Sequence, residues 1–383
     1  MPPQDPMQHA LALARRSVGL SEPNPRVGCV LVAPDGSVVG QGHTQEAGGP
    51  HAEIVALRDA AAAGRSSRGA TAYVTLEPCS HHGRTGPCCD ALIAAGIARV
   101  VAATGDPNPR VGGRGFERLR AAGIEVQVGP GEAQSRELNP GFFARMERGT
   151  PWVRLKVAAS LDGRTALEDG RSQWITAQAA RADGHAWRAR AGAVLTGIGT
   201  VLQDDPLLDV RLAPTTRQPP LALVDSRLEV PLSARLFGPA RKVWIYTAQP
   251  PSPRWLELQE RGAEVVSLPG AGGKVDLAAL LHHLAAREVN ELHVEAGHKL
   301  NGSLLREGLV DELLVYLAPR LIGPGQPMAN LAPLAGLADA LPLQFTSVEK
   351  VGDDLRVLAR VAGPGKRAAV PVQSGAGLTG MRK

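Results

Sequence analysis

Five potential metal ligands lie together in one short stretch, "LEPCSHHGRTGPCCDAL" at residues 76–92. They are Cys79, His81, His82, Cys88 and Cys89. The chain has one further cysteine, Cys29. A secreted protein built on disulfides spreads its cysteines through the fold, whereas cysteines clustered beside histidines are typical of metal binding in the cytosol. The pattern therefore predicts a metal centre in a cytoplasmic protein.

Upstream, "GGPHAEIVAL" adds His51 and Glu53, two residues apart where a helix should begin. A lone histidine here is more often a capping or core residue, but H-x-E followed by P-C and a later cysteine rarely arises by chance. One histidine and two thiolates can bind zinc and leave its fourth position to water, whose pKa zinc lowers toward about 7. A carboxylate that is not a ligand must then move protons, and Glu53 can face the same cavity. The pattern predicts a zinc deaminase.

An alternation of helices and strands should position these residues. "HAEIVALRDAAAAG" indicates an Ala-rich helix after His51, and "ATAYVTLEPC" indicates a strand that leads into the cysteine loop. Two strands around the "PDG" turn precede them, and two helix–strand repeats follow. Such alternation predicts an α/β domain with a largely parallel sheet. Both metal-bearing turns would lie at helix N-termini, which favour thiolate over thiol.

At 383 residues the chain is longer than one typical domain. The turn "RGTP" near Gly149 is the predicted boundary, and a second α/β series follows it. We expect one domain over residues 1–148, a second over residues 149–363, and a disordered Gly-rich tail over residues 364–383.

The net charge of +5 is mild, and no dense basic run appears before the tail. This favours phosphorylated small molecules as partners and argues against a nucleic-acid surface. The N-terminus lacks the apolar core of a signal peptide. The longest uncharged stretch is broken by Pro324, Pro327 and Pro333, so we expect no membrane span.

The second half has no G-x-G-x-x-G after its first strand, and "PGAGGK" lacks the Ser or Thr of a phosphate loop, so it should be a plain turn. "HVEAGHKLNGSLL" predicts a strand, then Gly297, then a helix begun by Asn301 and Ser303. Backbone N–H groups there could hold a pyrophosphate, although an ordinary strand–helix turn is an equal alternative. Polar clusters at strand ends would suit a sugar phosphate. Their candidate residues are Arg188, Asp204, Asp205 and Arg211.

Several segments resemble the deaminase half of the bifunctional riboflavin-biosynthesis family RibD. They are "SEPNPRVGCVLV", "GGPHAE", "LEPCSHHGRTGPCCDALI" and "GDPNPRVGGRG". The resemblance implies a cytidine-deaminase-like domain in which Glu53 shuttles protons. The implied zinc ligands are His51, Cys79 and Cys88, and the implied pocket residues are Asn24, His43 and Arg84. No ligand role carries over to Cys89, His81 or His82; the two histidines should shape the loop or touch substrate.

The second half resembles the reductase half of the same family, so that the resemblance covers residues 5–362. The matching segments are "LKVAASLDGRTA", "SQWIT", "GIGTVLQDDPLLDVR", "VEAGHKLNGSLL" and "DELLVYLAPRLIG". The resemblance implies a fold like dihydrofolate reductase, NADPH as cofactor, and a homodimer formed through this half. The implied NADPH contacts are Ala158, Trp174, Thr200, Asp204, Ser226, Gly297, His298, Lys299, Leu300, Asn301, Gly302 and Ser303. The implied substrate contacts are Lys156, Ser172, Arg188, Leu208, Arg211 and Glu295.

We therefore expect a bifunctional enzyme of riboflavin synthesis. It would deaminate 2,5-diamino-6-ribosylamino-4(3H)-pyrimidinone 5′-phosphate by hydrolysis and then reduce the ribosyl group to ribityl with NADPH. Hydride chemistry belongs to the cofactor, and the protein supplies position and charge. The reduction also needs an acid, for which Asp204, Glu295 and Lys156 are unranked candidates.

Two alternatives stay open on the residues alone. The chain could be a zinc deaminase of another nucleotide or of a nucleic-acid base, with an inactive or repurposed reductase-like domain. It could instead carry a structural zinc site, which needs four protein ligands, so that Cys89 or His81 would have to complete it.

Overall fold

The computed structural model describes residues 5–81, 86–109 and 111–362. The helices are α1 (Pro6–Ala14), α2 (Ala52–Ala62), α3 (Cys88–Ala94), α4 (Arg114–Ala121), α5 (Glu132–Leu138), α6 (Pro140–Arg148), α7 (Gln178–Arg190), α8 (Ile198–Asp204), α9 (Pro253–Glu260), α10 (Leu277–Ala286) and α11 (His298–Arg306). The strands are β1 (Gly28–Val32), β2 (Val38–His43), β3 (Thr71–Val74), β4 (Arg99–Ala102), β5 (Glu125–Val128), β6 (Trp152–Ser160), β7 (Arg164–Leu167), β8 (Ala193–Gly197), β9 (Leu221–Val224), β10 (Val243–Thr247), β11 (Ala263–Ser267), β12 (Glu291–Val294), β13 (Glu312–Ala318), β14 (Gly325–Pro327), β15 (Leu343–Val351) and β16 (Asp354–Val361).

The first sheet has the strand order β2-β1-β3-β4-β5. The pairs β3–β4 and β4–β5 are parallel, whereas β1 is antiparallel to both β2 and β3. The sheet is therefore mixed. The prediction of a largely parallel sheet holds for β3, β4 and β5, and the predicted pair of strands around the "PDG" turn forms the antiparallel β1–β2 hairpin.

Glycines allow the helices to lie directly on this hairpin. A Cβ on Gly28 would lie 1.9 Å from the carbonyl oxygen of Ala10, and one on Gly42 would lie 2.6 Å from that of Ala52. No side chain fits at either contact, so α1 and α2 pack against the strands at backbone distance. This close contact fixes the start of α2, and with it His51 and Glu53, beside β2.

The second sheet has the order β11-β10-β9-β8-β12-β6-β13-β16-β15. The strands from β11 to β13 are parallel, and β16 and β15 extend the sheet as an antiparallel hairpin. The chain runs outward from β8 to β11 and returns to place β12 between β8 and β6. This reversal brings the carboxyl ends of β8 and β12 together at one edge, where ligands bind in open α/β sheets.

Some local predictions need correction, and others hold. Helix α11 begins at His298 after Gly297, so Asn301 and Ser303 lie inside it, and the predicted start there is wrong by about one turn. The β15–β16 hairpin was not predicted. "PGAGGK" is a plain turn, since α10 begins only at Leu277, where the Asp276 side chain accepts from Ala279 N–H. None of the helices within the described ranges has the length and apolar character to span a membrane.

Candidate active sites

His51, Cys79 and Cys88 come together at the starts of two helices. His51 immediately precedes α2, Cys88 is the first residue of α3, and Cys79 follows the end of β3. The His51 Nδ1 atom lies 3.6 Å from Cys79 Sγ and 3.4 Å from Cys88 Sγ. Tetrahedral zinc with ordinary bond lengths requires an N···S separation of about 3.6 Å. The donor set therefore fits zinc as three protein ligands with one position left for water.

A hydrogen bond between the two thiols moves their pKa values apart. A hydrogen bond from Cys88 lowers the pKa of Cys79 to about 4 against the opposing effect of burial, and the His51 side chain lowers it further. The same hydrogen bond, together with burial, raises the pKa of Cys88. The backbone N–H of Cys88 also donates to Cys79 Sγ at 3.3 Å. Metal binding requires both thiolates and displaces the proton of the Cys88 thiol.

Glu53 lies in the first turn of α2 and is 3% exposed. Burial, followed by the negative charge of Cys79, raises the pKa of its carboxyl group to about 7 in the absence of metal. Its side chain also contacts the Cys88 thiol. Zinc, when bound, supplies a hydroxide near neutral pH and opposes the rise in carboxyl pKa. A carboxyl group beside the ligands that can gain and lose a proton suits general acid–base catalysis.

Other predicted deaminase residues lie around this group. His43 ends β2, with its Nδ1 3.3 Å from Ser17 Oγ and 3.2 Å from the Thr44 carbonyl oxygen. Asn24 is half-buried in the segment before β1. The predicted pocket residue Arg84 lies outside the described residues. The Cys89 thiol donates to the carbonyl oxygen of Pro78 at 3.2 Å and is fully buried.

A cleft of about 750 Å³ opens beside the starts of α2 and α3. Its lining includes Pro50 and Ile54, on either side of the metal-binding histidine, and Pro87, next to Cys88. Arg58 also lines it. Arg58 was not predicted, because nothing in the sequence around an exposed helical arginine indicates that it lines a cleft. The lining of the cleft includes none of the three ligands and not Glu53, so the cleft adjoins the metal group.

Glu77 was also missed, although it supports the metal loop. Its carboxylate accepts backbone N–H bonds from Asp106 at 3.1 Å, Gly113 at 2.9 Å and Gly115 at 2.8 Å. It thereby ties the strand end before Cys79 to the loop that precedes α4. Its position in "EPC", one residue before the proline, was the available signal.

In the second half, Glu295 follows β12 and gathers three partners. Arg188 donates to it through two nitrogens, with Nη2 at 2.9 Å, and Lys156 Nζ lies 3.5 Å away. Burial acts to raise the pKa of Glu295, but the charges of these cations hold it well below its usual value. His293, which the sequence analysis missed, lies with Nε2 3.3 Å from the same carboxylate. Two predicted substrate contacts, Arg188 and Lys156, thus surround a third, the ionised carboxylate of Glu295.

The remaining predicted substrate contacts are less closely joined to this cluster. Arg188 donates to the carbonyl oxygen of Asp209 at 2.7 Å, and the Arg211 side chain pairs with the Asp209 carboxylate. Leu208 is buried, and Ser172 is half-buried in the segment before α7.

The predicted NADPH contacts gather at the carboxyl edge of the sheet. Gly297 is exposed, and a Cβ on it would lie 3.8 Å from Thr200 Oγ1. The first-turn N–H groups of α11 have no carbonyl acceptor within the helix, which suits a pyrophosphate. Ser226 follows β9, and its Oγ accepts from the N–H of Val275 at 3.2 Å. Trp174 is 61% exposed, with the Arg181 guanidinium 4.7 Å from its ring centre.

Within α11, two of the predicted contacts face the protein. Asn301 is buried and donates to the carbonyl oxygen of Met328 at 2.9 Å, while its Oδ1 is buried without a hydrogen-bond partner in the described chain. A Cβ on Gly302 would lie 2.2 Å from the carbonyl oxygen of Asn330. Ser303 bonds to the Lys299 carbonyl oxygen one turn earlier.

Ala158 is half-buried in β6, and Asp204 is exposed at the end of α8. Gly297–Leu300, Thr200 and Ser226 lie just after three neighbouring strands of the second sheet, β12, β8 and β9.

Two family models match the chain, one to each half. Residues 2–104 match the cytidine and deoxycytidylate deaminase zinc-binding region, and residues 151–357 match the RibD C-terminal domain. The second match covers more than half of the chain. Together they confirm the predicted two-domain α/β fold and do not favour the alternative of a deaminase with a repurposed second domain.

Curated relatives and solved structures agree over nearly the full length. The chain is 47% identical to the riboflavin biosynthesis protein RibD of Escherichia coli over 362 residues, covering 91% of this chain and 96% of that protein. The RibD of Aquifex aeolicus is 43% identical, with coverage of 91% and 96%. A structure of Acinetobacter baumannii RibD superposes with a TM-score of 0.85 at 40% identity, covering 94% and 98%. A Thermotoga maritima structure gives 0.81 at 34% identity, covering 93% and 98%. The chain belongs to the RibD family, as a bifunctional enzyme of riboflavin biosynthesis that joins a zinc-dependent deaminase to an NADPH-dependent reductase.

Proposed function

We propose that the deaminase acts on 2,5-diamino-6-ribosylamino-4(3H)-pyrimidinone 5′-phosphate and that the reductase converts the ribosyl group of its product to ribityl. The similar Thermotoga maritima structure is described as a diaminohydroxyphosphoribosylaminopyrimidine deaminase and 5-amino-6-(5-phosphoribosylamino)uracil reductase. The observation that carries the proposal is the occurrence of two built sites in one chain. A three-ligand metal group with a buried carboxyl group stands in one half, and an ionised carboxylate held by two cations stands in the other.

In the first reaction, His51, Cys79 and Cys88 would hold zinc. Glu53 takes a proton from the attacking water and returns it to the leaving amino group, as its place beside the ligands allows. The other deaminase residues bind the substrate and exclude water. They are Asn24, His43 and Arg84.

In the second reaction, Glu295 remains ionised and orients Arg188 and Lys156 toward the sugar phosphate, with Ser172, Leu208 and Arg211 around it. Of the three candidate acids, Glu295 is too acidic to donate a proton near neutral pH, and Asp204 is exposed. We favour Lys156 as the proton donor, since it is an ammonium group partly buried beside Glu295. The NADPH contacts that the resemblance implied would bind the cofactor. They are Ala158, Trp174, Thr200, Asp204, Ser226 and the residues from Gly297 to Ser303.

We assign residues 1–148 to the deaminase domain and residues 149–363 to the reductase domain. Gly149 ends α6 in the left-handed conformation, with φ of 70°, and β6 of the second sheet begins three residues later. Residues 363–383, which include the predicted tail, lie outside the described residues. We also place the enzyme in the cytoplasm, in line with its clustered cysteines.

We further propose a homodimer through the reductase half. Strand β15 is the edge of the second sheet and exposes Leu343, Phe345 and Val348, with Phe345 69% exposed. An apolar edge strand of this kind pairs readily with another chain. Light scattering should give twice the chain mass, and Phe345→Glu should shift the protein toward monomer. A wild-type monomer at micromolar concentration would contradict this part.

The test of function is an assay of the purified chain with the diaminopyrimidine phosphate, in which ammonia release and NADPH absorbance are followed separately. Ammonia should appear without NADPH, and NADPH oxidation should require the deaminated intermediate. The substrate assignment fails if ammonia is released from a transfer RNA or a cytidine nucleotide and none from the diaminopyrimidine phosphate. The reductase assignment fails if NADPH is not consumed when the intermediate is supplied.

A further inference from the structure

The segment Glu22–Arg26 of the deaminase half is held by residues of the reductase half. Asn290 Nδ2 donates to Glu22 Oε2 at 2.9 Å and to the carbonyl oxygen of Pro23 at 2.8 Å. The Asn290 Oδ1 atom accepts from Arg145 Nε at 2.7 Å. Asn290 is 3% exposed, so each of these bonds is shielded from water. One carboxamide therefore fixes both the side chain and the backbone at the start of the segment.

The other end of the segment is bonded to both halves. Asn139 of the deaminase half accepts from the backbone N–H of Arg26 and donates to its carbonyl oxygen, and Glu291 of the reductase half pairs with its side chain. Arg26 Nη2 lies 2.6 Å from Glu291 Oε1, and both side chains are buried. Glu291 is also paired with Arg154 at 2.7 Å and with Arg190 at 3.3 Å. Burial acts to raise the pKa of Glu291, but the three arginines together hold it well below its usual value. The charges of the three arginines therefore favour the ionised form of the carboxylate that pairs with Arg26.

The held segment lies just before β1 of the deaminase half. It contains Asn24, which lines a narrow gap shared with Asn290 and Glu291. Two residues after the segment, Gly28 pairs with His43, another of the proposed pocket residues. On the reductase side, Glu291 begins β12, and the same strand ends just before Glu295. One short strand thus contacts the held segment at its start and leads to Glu295 at its end.

We propose that Asn290 and Glu291 are positioning residues for deamination, which hold the Glu22–Arg26 segment so that Asn24 meets the pyrimidine substrate. This inference rests on the proposed function, and in particular on the substrate role of Asn24. It assigns part of the deaminase site to the reductase domain. A contact that only joined the two domains would affect stability without a selective effect on substrate binding.

The central test is Asn290→Ala in the full-length, zinc-loaded enzyme. The KM for the diaminopyrimidine phosphate should rise about 10-fold, since two hydrogen bonds to the segment are lost. Zinc content and reduction of the supplied intermediate should stay at wild-type values. The matched control is Arg360→Ala, which removes a different interdomain ion pair, with Glu137, and leaves the segment untouched. Its deaminase KM should not change.

A charge rescue guards against a variant that simply fails to fold. Asn290→Asp places a carboxylate against Glu22 and should raise KM more than Asn290→Ala does. Adding Glu22→Gln restores a donor–acceptor pair between the two side chains, so KM should recover in part. In a double-mutant cycle, Asn24→Ala should make the effect of Asn290→Ala disappear, because coupled residues are not additive.

Three results would overturn the inference: an unchanged KM in Asn290→Ala, no recovery in the rescue, or full additivity with Asn24→Ala. Equal loss of both activities together with zinc would also overturn it, since that would be a purely structural effect. If the wild-type enzyme releases no ammonia from this substrate, the proposed function fails, and that failure is visible before any variant is made.

Discussion

The metal group and the Glu295 cluster both hold buried charge, but they are assembled differently. The metal group draws its ligands from residues 51–88, and each ligand lies where a helix begins or a strand ends. The Glu295 cluster has partners from three elements: Lys156 lies in β6, Arg188 lies in α7, and His293 lies in β12, which ends just before Glu295. The metal group needs an external ion to balance its thiolates, whereas the cluster balances its own carboxylate.

This difference predicts how each site should fail. Three ligands bind one ion together, so the loss of any one should remove the metal and the activity. Arg188 and Lys156 each contact Glu295 separately, so the loss of one contact should lower the reductase activity only in part. Variants in the deaminase half should therefore be nearly all-or-none, and variants in the reductase half should be graded.

Cys88→Ser should have the largest effect. It removes one of three ligands, so bound zinc should fall toward zero and kcat for ammonia release should drop at least about 10²-fold, because the loss of even an outer contact costs 10- to 100-fold. Reduction of the supplied intermediate should continue. Metal analysis and the two separate assays measure these effects.

Cys89→Ser is the matched control for that variant. The Cys89 thiol bonds to the carbonyl oxygen of Pro78 and is fully buried, so its replacement should leave zinc bound. Loss of zinc from Cys89→Ser, with retention by Cys88→Ser, would place the ligand at the neighbouring residue. Loss of zinc from both would favour a four-ligand structural site.

Glu53→Gln should separate proton transfer from metal binding. The variant keeps the three ligands but removes the acid–base group, so kcat for deamination should fall about 10²- to 10⁴-fold with zinc retained. Glu77→Gln is the control, because it changes another buried carboxylate of the same domain that bonds to backbone N–H groups. It should lower stability more than kcat. Full activity of Glu53→Gln would remove Glu53 from the mechanism.

Glu295→Gln should produce the graded loss expected of the second site. The neutral side chain leaves Arg188 and Lys156 unbalanced, so the reductase KM should rise about 10- to 100-fold, the scale of one hydrogen bond to a charged group. Stability should fall by on the order of 3 kcal/mol, measured by urea unfolding. Deamination and zinc content should not change.

Glu312→Gln controls for that stability loss. Glu312 begins β13, and its buried side chain pairs with Arg154 on the adjacent strand β6. Its replacement should destabilise the fold without a change in the reductase KM. If both variants raise KM equally, Glu295 acts through the fold and not through substrate.

The contrast between the sites also explains what sequence analysis could reach. Metal binding restricts residue type and spacing, so His51, Glu53 and the cysteine loop could be recognised from short motifs. The length of the chain predicted two domains, and the alternation of helices and strands predicted that they are of the α/β class. His293 and Asn290 could not be found this way, because their roles arise only when β12 is inserted between β8 and β6.

Predictions of strand direction and helix start failed where the local sequence pattern indicates one arrangement and the tertiary structure has another. The first sheet was expected to be largely parallel because its helices alternate with strands, but antiparallel pairing of β1 is decided by the hairpin. The start of α11 was placed one turn late because Asn301 and Ser303 are good capping residues, whereas Gly297 precedes the helix and Asn301 is buried within it. The resemblance supplied residue names there but not their orientation.

Glu22, at the border between the halves, should give a pH-dependent stability difference. Burial raises its pKa to about 7, and the nearby Arg26 only partly opposes this. Since the folded value lies above the unfolded one, its contribution is fully present below about pH 4.5 and is lost as the pH rises through about 7. As the pH rises from about 4.5 to about 7, the free energy of unfolding of Glu22→Gln should therefore increase relative to that of the wild type by on the order of 1–3 kcal/mol.

Urea unfolding of the two proteins at pH 5 and pH 8 tests this, because groups common to both cancel in the difference. A constant difference between Glu22→Gln and wild type at both values would mean that Glu22 titrates normally in the folded protein.

Trp174→Ala should have the smallest effect and is the most direct test of graded contributions. Its ring is 61% exposed and lies under the Arg181 guanidinium, so it can cover one face of a bound cofactor at little cost to stability. We expect the Kd for NADPH to rise about 5-fold, the equivalent of roughly 1 kcal/mol, with unfolding unchanged within about 0.5 kcal/mol. Leu256→Ala on α9 removes an equally exposed apolar side chain and should change neither quantity. Complete loss of NADPH binding in Trp174→Ala would show that the reductase site, like the metal group, depends on single residues, and the distinction between the two sites would fail.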